Sequence, residues 1–273
     1  MPELPEVETV VAGLKKKMEG RKIRAVTTTR KDLRVPFPRG LFALKNVNIQ
    51  TLSRRAKYIL LYLENGKVLV IHLGMSGRMT LGHDEELQKH DHMVITLDNG
   101  FRAVLNDPRR FGLVALVDAD ALSSHRLFCH LGPEPLDKDF NAAYLSRKLA
   151  NRKTPIKLAI MDQRIVVGVG NIYASEALYK AGIAPGRLAG DVKPGEIKKL
   201  VAAIKKTLKA AIAAGGSSLK DYVQADGTLG YFQHNWAVYG RAGEKCRARG
   251  CKGRIVKTVM GGRATFACPR CQK

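Results

Sequence analysis

The chain has 273 residues, which is long enough for two domains with separate hydrophobic cores. Its 47 Lys and Arg residues against 24 Asp and Glu give a formal net charge of +23, so we expect a polyanionic partner, nucleic acid ahead of a membrane surface. A hydrophobic fraction of 45% excludes a disordered basic tail. The sequence has neither a run of about 18 apolar residues nor the apolar core of a signal peptide, and we therefore expect a soluble, intracellular protein.

The first eight residues, MPELPEVE, raise a chemical question about the amino terminus. Removal of the initiator methionine would leave Pro2 with a free secondary amine, which is a nucleophile. Residues 5–19 carry apolar side chains at helical spacing, begin with a proline that suits a first turn, and end before Gly20. This pattern predicts a helix packed on a core, which would give Pro2 a fixed position. The alternative is that Pro2 belongs to a flexible terminus.

Strand patterns replace helical ones from about residue 21 to residue 120. The segments KYILLYLENGKVLVIHLGM and HMVITLDNGFRAVLND each hold two aliphatic runs joined by Asn-Gly, the preferred pair for a tight hairpin turn. They predict an antiparallel β-sandwich. Turn residues in GPEPLDKDF and the basic stretch LSRKLANRKTP indicate a passage between two domains.

The second half of the chain has mainly helical patterns. The segment IKLAIMDQ precedes the glycine-interrupted stretch RIVVGVGN, and a helix over IYASEALYKAGI is predicted to end at Pro185. A long amphipathic helix is predicted near 195–213, with an apolar face opposite a row of lysines. We interpret those lysines as a solvated face in preference to a binding surface.

Four of the five cysteines lie in the last 28 residues, in the order C-x4-C, sixteen residues, C-x2-C. Two such knuckles at the ends of a hairpin can close a tetrahedral tetrathiolate, and a fully protein-filled coordination shell indicates structural zinc. The alternative is four free buried thiols. The fifth cysteine, Cys129, is expected to be a core residue. The predicted ligands are Cys246, Cys251, Cys268 and Cys271.

Several motifs together resemble the bacterial formamidopyrimidine-DNA glycosylase family, a family of bifunctional DNA glycosylases and AP lyases. They are MPELPEVET, RRAKY, HLGMSG, KHDH, DPRRFG, VGVGNIYASEALY and the four-cysteine tail, in this order over the whole chain. The resemblance implies an α+β fold of two domains: an N-terminal antiparallel β-sandwich with flanking helices, and a C-terminal helix-two-turn-helix domain with a four-cysteine zinc finger. The family usually has C-x2-C at the first knuckle, so here we expect the same ligands in a different local geometry. The predicted ranges are 1–134 for the catalytic domain, 135–150 for a linker, 151–240 for the helical domain and 241–273 for the zinc finger.

The same resemblance implies a base-excision repair enzyme. It would remove oxidised purines such as 8-oxoguanine and formamidopyrimidines, and then cut the strand at the abasic site by β,δ-elimination. Pro2 is the implied nucleophile through a Schiff base, and Glu3 the implied proton donor toward the deoxyribose. Lys57 corresponds to a catalytic lysine at the lesion and its phosphate; by itself it would be a surface lysine. Glu6 corresponds to a second acid near the pocket, although helix N-terminal stabilisation accounts for it equally well.

Further residues correspond to the family's DNA contacts. Met75, Arg109 and Phe111 match side chains that enter the duplex, although Met75 and Phe111 could instead be core residues. Residues 217–222 match the start of a loop that closes over the flipped base. His90 and His92 could alternatively form a metal pair, but no third ligand is evident. The implied backbone contacts are His92, Arg110, Asn171 and Arg263, with Lys157 a weaker candidate.

Two rival functions remain open. One is a glycosylase of the same fold that prefers oxidised pyrimidines; the other is a noncatalytic protein that binds damaged DNA. We expect a monomer in the bacterial cytoplasm, associated with the nucleoid through DNA and carrying one structural zinc ion. The expected partner is double-stranded DNA with oxidised bases or abasic sites.

Overall fold

A computed structural model describes residues 2–83, 86–217, 225 and 228–273. The chain forms two units: residues 1–129 with 214–233, and residues 130–213 with 234–273. We call them the N-terminal and C-terminal units. The segment 214–233 therefore belongs to the N-terminal unit although it follows the long helix in sequence, while the predicted boundaries at 134, 150 and 240 stay a prediction.

The N-terminal unit contains two four-stranded antiparallel sheets. One has the strand order β1-β6-β7-β5 and the other β2-β3-β4-β8, and apolar residues from both form one core cluster. The predicted antiparallel β-sandwich is confirmed. Its strands are β1 Ile23–Thr28, β2 Ile49–Arg55, β3 Tyr58–Leu63, β4 Lys67–His72, β5 Arg78–Gly82, β6 Asp91–Leu97, β7 Arg102–Asn106 and β8 Leu113–Asp118.

Both predicted Asn-Gly hairpins are confirmed, between β3 and β4 and between β6 and β7. Gly66 and Gly100 have φ of 74° and 81°, a backbone region that glycine enters without steric cost. The preceding side chains stabilise the turns, because Asn65 accepts from the Lys67 amide and Asn99 from the Phe101 amide at 3.2 Å each. Sequence-local chemistry thus fixes these two registers.

Helix α1, Leu4–Met18, confirms the helix predicted at the amino terminus. The side chains of Val7, Val10, Leu14 and Met18 are fully buried, which explains the apolar spacing. The helix therefore lies fixed on the sandwich core, and the residues just ahead of it are buried as well.

The C-terminal unit is helical with a two-stranded ribbon. The basic segment interpreted as a passage between domains contains a helix that buries Leu145 and Leu149, so it is part of this unit's core. The helix predicted to end at Pro185 stops at Ala181 instead, because Gly182 takes a left-handed φ of 73° and its amide caps the last turn. Its elements are α2 Ala142–Leu149, α3 Ile156–Met161, α4 Asn171–Ala181, α5 Pro194–Ala213, β9 Val256–Met260 and β10 Arg263–Ala267. The described residues of the two units also include 3-10 turns at Arg39–Leu44, Ala189–Asp191 and Phe232–Asn235.

One core prediction is wrong. Cys129 is exposed, whereas the neighbouring Phe128 is buried and packs edge-on against Tyr58 with ring centroids 5.1 Å apart. The aromatic ring removes more apolar area from water than the thiol would, so Phe128 takes the inward position. Within the described residues, we find no helix long and apolar enough to cross a membrane.

Candidate active site

The residues around the amino terminus are buried and tied together by one carboxylate. Pro2 is buried, and Glu3 and Glu6 are each only 2% exposed. One Glu6 oxygen accepts from the Glu3 amide at 2.8 Å, and the other accepts from the Ser217 amide at 2.8 Å. Backbone donors at a helix N-terminus are well suited to hold such a charge. Glu6 thereby fixes Glu3, directly after Pro2, and Ser217, the first residue of the segment predicted to close over the flipped base. Residues 218–222 of that segment lie outside the described residues.

Lys57 lies in the two-residue turn between β2 and β3. Arg55 pairs with Tyr58, so Ala56 and Lys57 alone make the connection, and Ala56 adopts a left-handed φ of 53°. The Arg54 guanidinium donates to the Ala56 carbonyl at 2.9 Å and to Glu8 of α1 at 2.5 Å. Lys57 itself is 8% exposed. The turn that carries Lys57 is therefore tied to the helix that follows Pro2 and Glu3.

His72, at the end of β4, is a residue that the sequence analysis missed. Burial lowers the pKa of His72 to about 4, with further lowering from the positive charges of Lys57 and Arg34. Its Nδ1 accepts from the Gly74 amide at 3.0 Å, so the neutral ring carries its proton on Nε2. The histidine thus helps to fix the turn that presents Met75. Its place in the HLGMSG motif was the available signal.

Asp107 is the second residue that the sequence analysis missed, although it opens the DPRRFG motif. Its side chain is fully buried. The carboxylate accepts from the Ser76 hydroxyl at 2.9 Å and from the Gly112 amide at 2.7 Å. Its carbonyl oxygen accepts from the Arg110 amide at 3.2 Å. Asp107 therefore holds the loop of the predicted DNA contacts together from below.

The predicted wedge residues are exposed in spite of their apolar character. Met75 is 40% exposed and Phe111 is 44% exposed, so neither is the core residue that its type alone would indicate. The Arg109 guanidinium lies over the Phe111 ring at 4.9 Å from its centroid. Arg110, between them, is exposed and has a left-handed φ of 58°. The loop presents one aromatic and two cationic groups at the surface of this unit.

His92 lies against the same loop. It is 6% exposed, and its Nε2–H donates to the Asp107 carbonyl at 3.1 Å. His90 and His92 have ring centroids 6.1 Å apart. Among the described residues the four cysteines are the one group of three or more His, Cys, Asp or Glu side chains close enough to hold a metal ion, so the alternative histidine pair has no third ligand of these types there.

The predicted contacts of the C-terminal unit cluster where α3 and α4 meet the ribbon. Lys157 is fully buried, and its ammonium donates to Asn171 Oδ1 at 2.5 Å and to Thr265 Oγ1 at 2.7 Å. Asn171, the first residue of α4, donates in turn to the Ala264 carbonyl at 2.9 Å. Arg263 is exposed at the start of β10. Lys157 and Asn171 thus join two elements from inside through their side-chain bonds, while Arg263 is exposed at the surface.

The four predicted zinc ligands converge at the base of the ribbon. Their sulfur atoms all lie within 4.8 Å of one another, with Cys246 and Cys271 3.7 Å apart and Cys251 and Cys268 3.8 Å apart. Four sulfurs placed tetrahedrally at the usual zinc–sulfur distance lie about 3.8 Å from each other. The amides of Ala248 and Gly253 also donate to ligand sulfurs, at 3.4 and 3.3 Å. The C-x4-C knuckle therefore forms a structural zinc site.

His72 makes stability depend on pH in a calculable direction. Above the unfolded pKa of His72, near 6.5, the imidazole is neutral in both the folded and the unfolded protein. As pH falls toward about 4, the imidazole binds a proton in the unfolded chain but not in the folded protein, so the free energy of unfolding falls. Through His72, the wild-type protein should lose about 1 to 2 kcal/mol of its free energy of unfolding between about pH 7 and pH 5. Replacing His72 with Asn, whose side-chain oxygen can still accept from the Gly74 amide, should abolish this part of the loss. Urea unfolding at both values measures this. The exposed His130→Asn should leave the loss unchanged; equal losses in wild type and His72→Asn would contradict the assignment.

Zinc should hold the ribbon folded. We expect one zinc ion per purified chain, and Cys268→Ser should lose it together with the ribbon's resistance to trypsin, because metal binding supplies on the order of 10 kcal/mol of folding free energy in such modules. Metal analysis and limited proteolysis at the basic residues of the ribbon measure both. Cys129→Ser, at the exposed cysteine outside the cluster, is the matched control. A Cys268→Ser protein with a full complement of zinc would refute the site.

Comparison with family models covers most of the chain. Residues 1–114 match the formamidopyrimidine-DNA glycosylase N-terminal domain, and residues 131–223 match the H2TH domain of the same enzyme. Residues 243–273 match a zinc finger found in FPG and IleRS. The order of these matches follows the order of the motifs along the sequence.

Relatives and solved structures agree over the full length. Proteins named formamidopyrimidine-DNA glycosylase from Acidiphilium cryptum and from a Ruegeria species are 52% and 49% identical, each covering 100% of both chains. A structure of a Lactococcus lactis FPG variant with DNA containing Fapy-dG has a TM-score of 0.93 at 35% identity over 100% of both chains. Lactococcus lactis Fpg with DNA containing an abasic site has a TM-score of 0.91 at 34% identity over 99% of each chain. The chain therefore belongs to the formamidopyrimidine-DNA glycosylase family.

Proposed function

We propose that this protein is a base-excision repair enzyme that removes oxidised purines, including 8-oxoguanine and formamidopyrimidines, and then cleaves the strand at the abasic site. It would act both as an N-glycosyl hydrolase and as a DNA-(apurinic or apyrimidinic site) lyase. Family membership over the full chain and the Fapy-dG complex of the Lactococcus relative support this activity. The local observation that carries it is the buried start of the chain, where Pro2 and Glu3 precede a helix and the Glu6 carboxylate fixes the Glu3 amide.

The first chemical step belongs to Pro2. After removal of Met1, its neutral nitrogen attacks C1′ of a flipped nucleotide; the nitrogen–carbon bond forms while the glycosidic bond breaks, and the base leaves with the bonding electrons and takes up the proton that the attacking nitrogen loses. An α-amine titrates near pKa 8 in general, and the positive end of α1 directly after Pro2 favours the neutral, reactive form. The fixed position of the helix start lowers the entropic cost of the attack.

Glu3 and Lys57 support the later steps. Glu3 donates a proton to O4′ of the sugar, the C1′–O4′ bond breaks, and the nitrogen lone pair completes an iminium. The iminium withdraws electrons, so loss of a C2′ proton expels the 3′ phosphate and a second elimination expels the 5′ phosphate. The Lys57 ammonium contacts the lesion and its phosphate and stabilises the negative charge that develops there.

The exposed loop residues act on the duplex. Met75 and Phe111 insert where the damaged nucleotide leaves the stack, and Arg109 enters beside them. Exposure of both apolar side chains in the free protein supports this role, because apolar groups of this size are costly to leave in water without a partner. Arg110 contacts the DNA backbone next to the wedge. His92, which lies against the same loop, also contacts the DNA backbone.

The C-terminal unit adds contacts that do not depend on sequence. Asn171 at the helix start and the exposed Arg263 bind backbone phosphates, which suits both groups. Lys157 acts in this region through its bonds to Asn171 and Thr265. The net charge of +23 provides the long-range attraction, so binding should weaken steeply with salt. We further propose that the protein works as a monomer in the bacterial cytoplasm, as the bacterial sources of its relatives favour; light scattering at micromolar concentration tests the oligomeric part.

Blocking the Pro2 amine tests the nucleophile. Native protein treated with borohydride on a duplex containing 8-oxoguanine should give a covalent protein–DNA band, because borohydride reduces the iminium. A chain extended by a few residues ahead of Pro2 turns that amine into an amide, and it should lose the band at least 100-fold while binding a tetrahydrofuran abasic analogue with similar affinity.

The same extension placed after Lys273 is the matched control and should leave the band intact. A band of native strength from the blocked chain would show that Pro2 is not the nucleophile and would indicate a lysine instead. A duplex with thymine glycol runs in parallel, because a Lactococcus lactis Fpg structure is described with an oxidised pyrimidine. Trapping on thymine glycol alone would favour the pyrimidine rival, and binding without trapping on any substrate would favour the noncatalytic one.

Glu3→Gln separates iminium formation at a lesion from iminium formation at an abasic site. The variant keeps the size of the side chain but cannot donate a proton to O4′, so we expect borohydride trapping on a duplex with 8-oxoguanine to fall by about 100-fold or more. A preformed abasic site is already partly an open aldehyde, which needs no protonation of the ring oxygen, and trapping there should persist. Single-turnover assays on the two substrates measure the ratio, and a parallel loss on both would contradict the assigned role of Glu3.

A further inference from the structure

Two surface turns of the N-terminal unit share one buried polar network. The first turn, 73–77, joins β4 to β5 and presents Met75; the second, 107–112, joins β7 to β8 and presents Phe111. Resting on the proposed function, we propose that Ser76 and Asp107 are positioning residues that make Met75 and Phe111 a single rigid wedge. The two side chains then enter DNA as one body, already arranged in the free protein.

Hydrogen bonds connect the two turns in both directions. The Ser76 hydroxyl donates to one Asp107 oxygen at 2.9 Å and accepts from the Arg109 amide at 3.2 Å. The other Asp107 oxygen accepts from the Gly112 amide at 2.7 Å. Ser76 is 3% exposed and Asp107 is fully buried, so water does not compete for these bonds. Loss of the hydroxyl would leave a buried carboxylate oxygen and a backbone amide without this partner.

The two turns are also in backbone contact. Gly74 has a left-handed φ of 65°, and a Cβ built on it would lie 2.6 Å from the Gly112 amide nitrogen and closer still to the Phe111 carbonyl carbon. Only a residue without a side chain allows this approach. On its other side the Gly74 amide donates to His72 at 3.0 Å, which fixes where the turn begins. Neither turn can move by an ångström without displacing the other.

The buried Ser76–Asp107 network holds the two exposed side chains of the wedge in place. Met75 and Phe111 remain 40% and 44% exposed, so burial of their own side chains does not account for their positions. The Arg109 guanidinium over the Phe111 ring, at 4.9 Å, restricts the aromatic side chain further. A rigid wedge loses little conformational freedom when it enters DNA, and this favours insertion over a pair of independently moving turns.

A double-mutant cycle tests whether the two side chains act as one. Met75→Ala, Phe111→Ala and the double variant are compared in wild-type and Ser76→Ala backgrounds by the single-turnover rate of 8-oxoguanine release, with 2-aminopurine fluorescence beside the lesion as the readout of flipping. In the wild-type background we expect the double variant to release 8-oxoguanine at least about fivefold faster than it would if the rate reductions of the two single variants multiplied. In the Ser76→Ala background the effects should multiply to within about twofold.

Controls separate coupling from loss of fold. Ser124→Ala removes a hydroxyl from an exposed turn, where it bonds only locally to the Ala121 carbonyl among the contacts described, and it should preserve the coupling. If Ser76→Ala does not fold, Asp107→Asn, which keeps one carbonyl acceptor, serves as the second background. Circular dichroism and thermal unfolding of each variant verify that the fold is retained, and trapping at a preformed abasic site measures how much of the reaction at C1′ each variant keeps.

The outcomes separate this inference from the function on which it rests. Single effects that multiply in the wild-type background would overturn the rigid wedge while leaving both side chains as wedges. Equal coupling with and without the Ser76 hydroxyl would overturn the positioning role of Ser76 and Asp107. If neither Met75→Ala nor Phe111→Ala alters release, although native protein traps efficiently, the wedge assignment and this inference both fail and the glycosylase assignment stands.

Discussion

The amino terminus of this protein depends on one buried carboxylate. Glu6 accepts from the Glu3 amide and from the Ser217 amide, and at 2% exposure its charge has little water to stabilise it. Removing either amide would leave part of that charge unsatisfied, which is why a chain end that would otherwise fray is held still. A nucleophile at the first residues of a chain needs such a constraint, since a mobile terminus would have to be ordered at every encounter with substrate.

The same device recurs at two other points. Asp107 joins the two turns that carry Met75 and Phe111, and Glu176 of α4, fully buried, accepts from the amides of Ala237, Val238 and Tyr239 at 2.9 Å each. In a chain with 24 acidic residues against 47 basic ones, carboxylates placed inside serve as acceptors for backbone amides, while the basic excess provides attraction to a polyanion.

Local backbone strain accompanies two turns of the candidate site. Ala56 and Arg110 both take left-handed φ values, 53° and 58°, without the freedom of glycine. Each conformation costs on the order of 1 kcal/mol and persists because the surrounding contacts over-determine it. The Ala56 carbonyl is held by Arg54, and the Arg110 amide by Asp107. In both cases the strained residue lies beside a proposed contact with DNA, Lys57 in one turn and Phe111 in the other.

The sequence by itself determined the features with short-range causes: helix α1 from its apolar spacing, two hairpins from Asn-Gly, and the zinc ligands from cysteine spacing. The site residues that rest on the family motifs stay a prediction. The sequence misplaced the end of α4 and the side chain of Cys129, where a capping glycine and a competing phenylalanine decided the outcome. Only the tertiary structure decided that Glu6 meets Ser217 across 211 positions and that Ser76 meets Asp107 across 31. Periodicity and spacing report interactions between near neighbours in sequence. The donors to a buried carboxylate are instead the groups that tertiary packing places within about 3 Å of it, however distant they are in sequence.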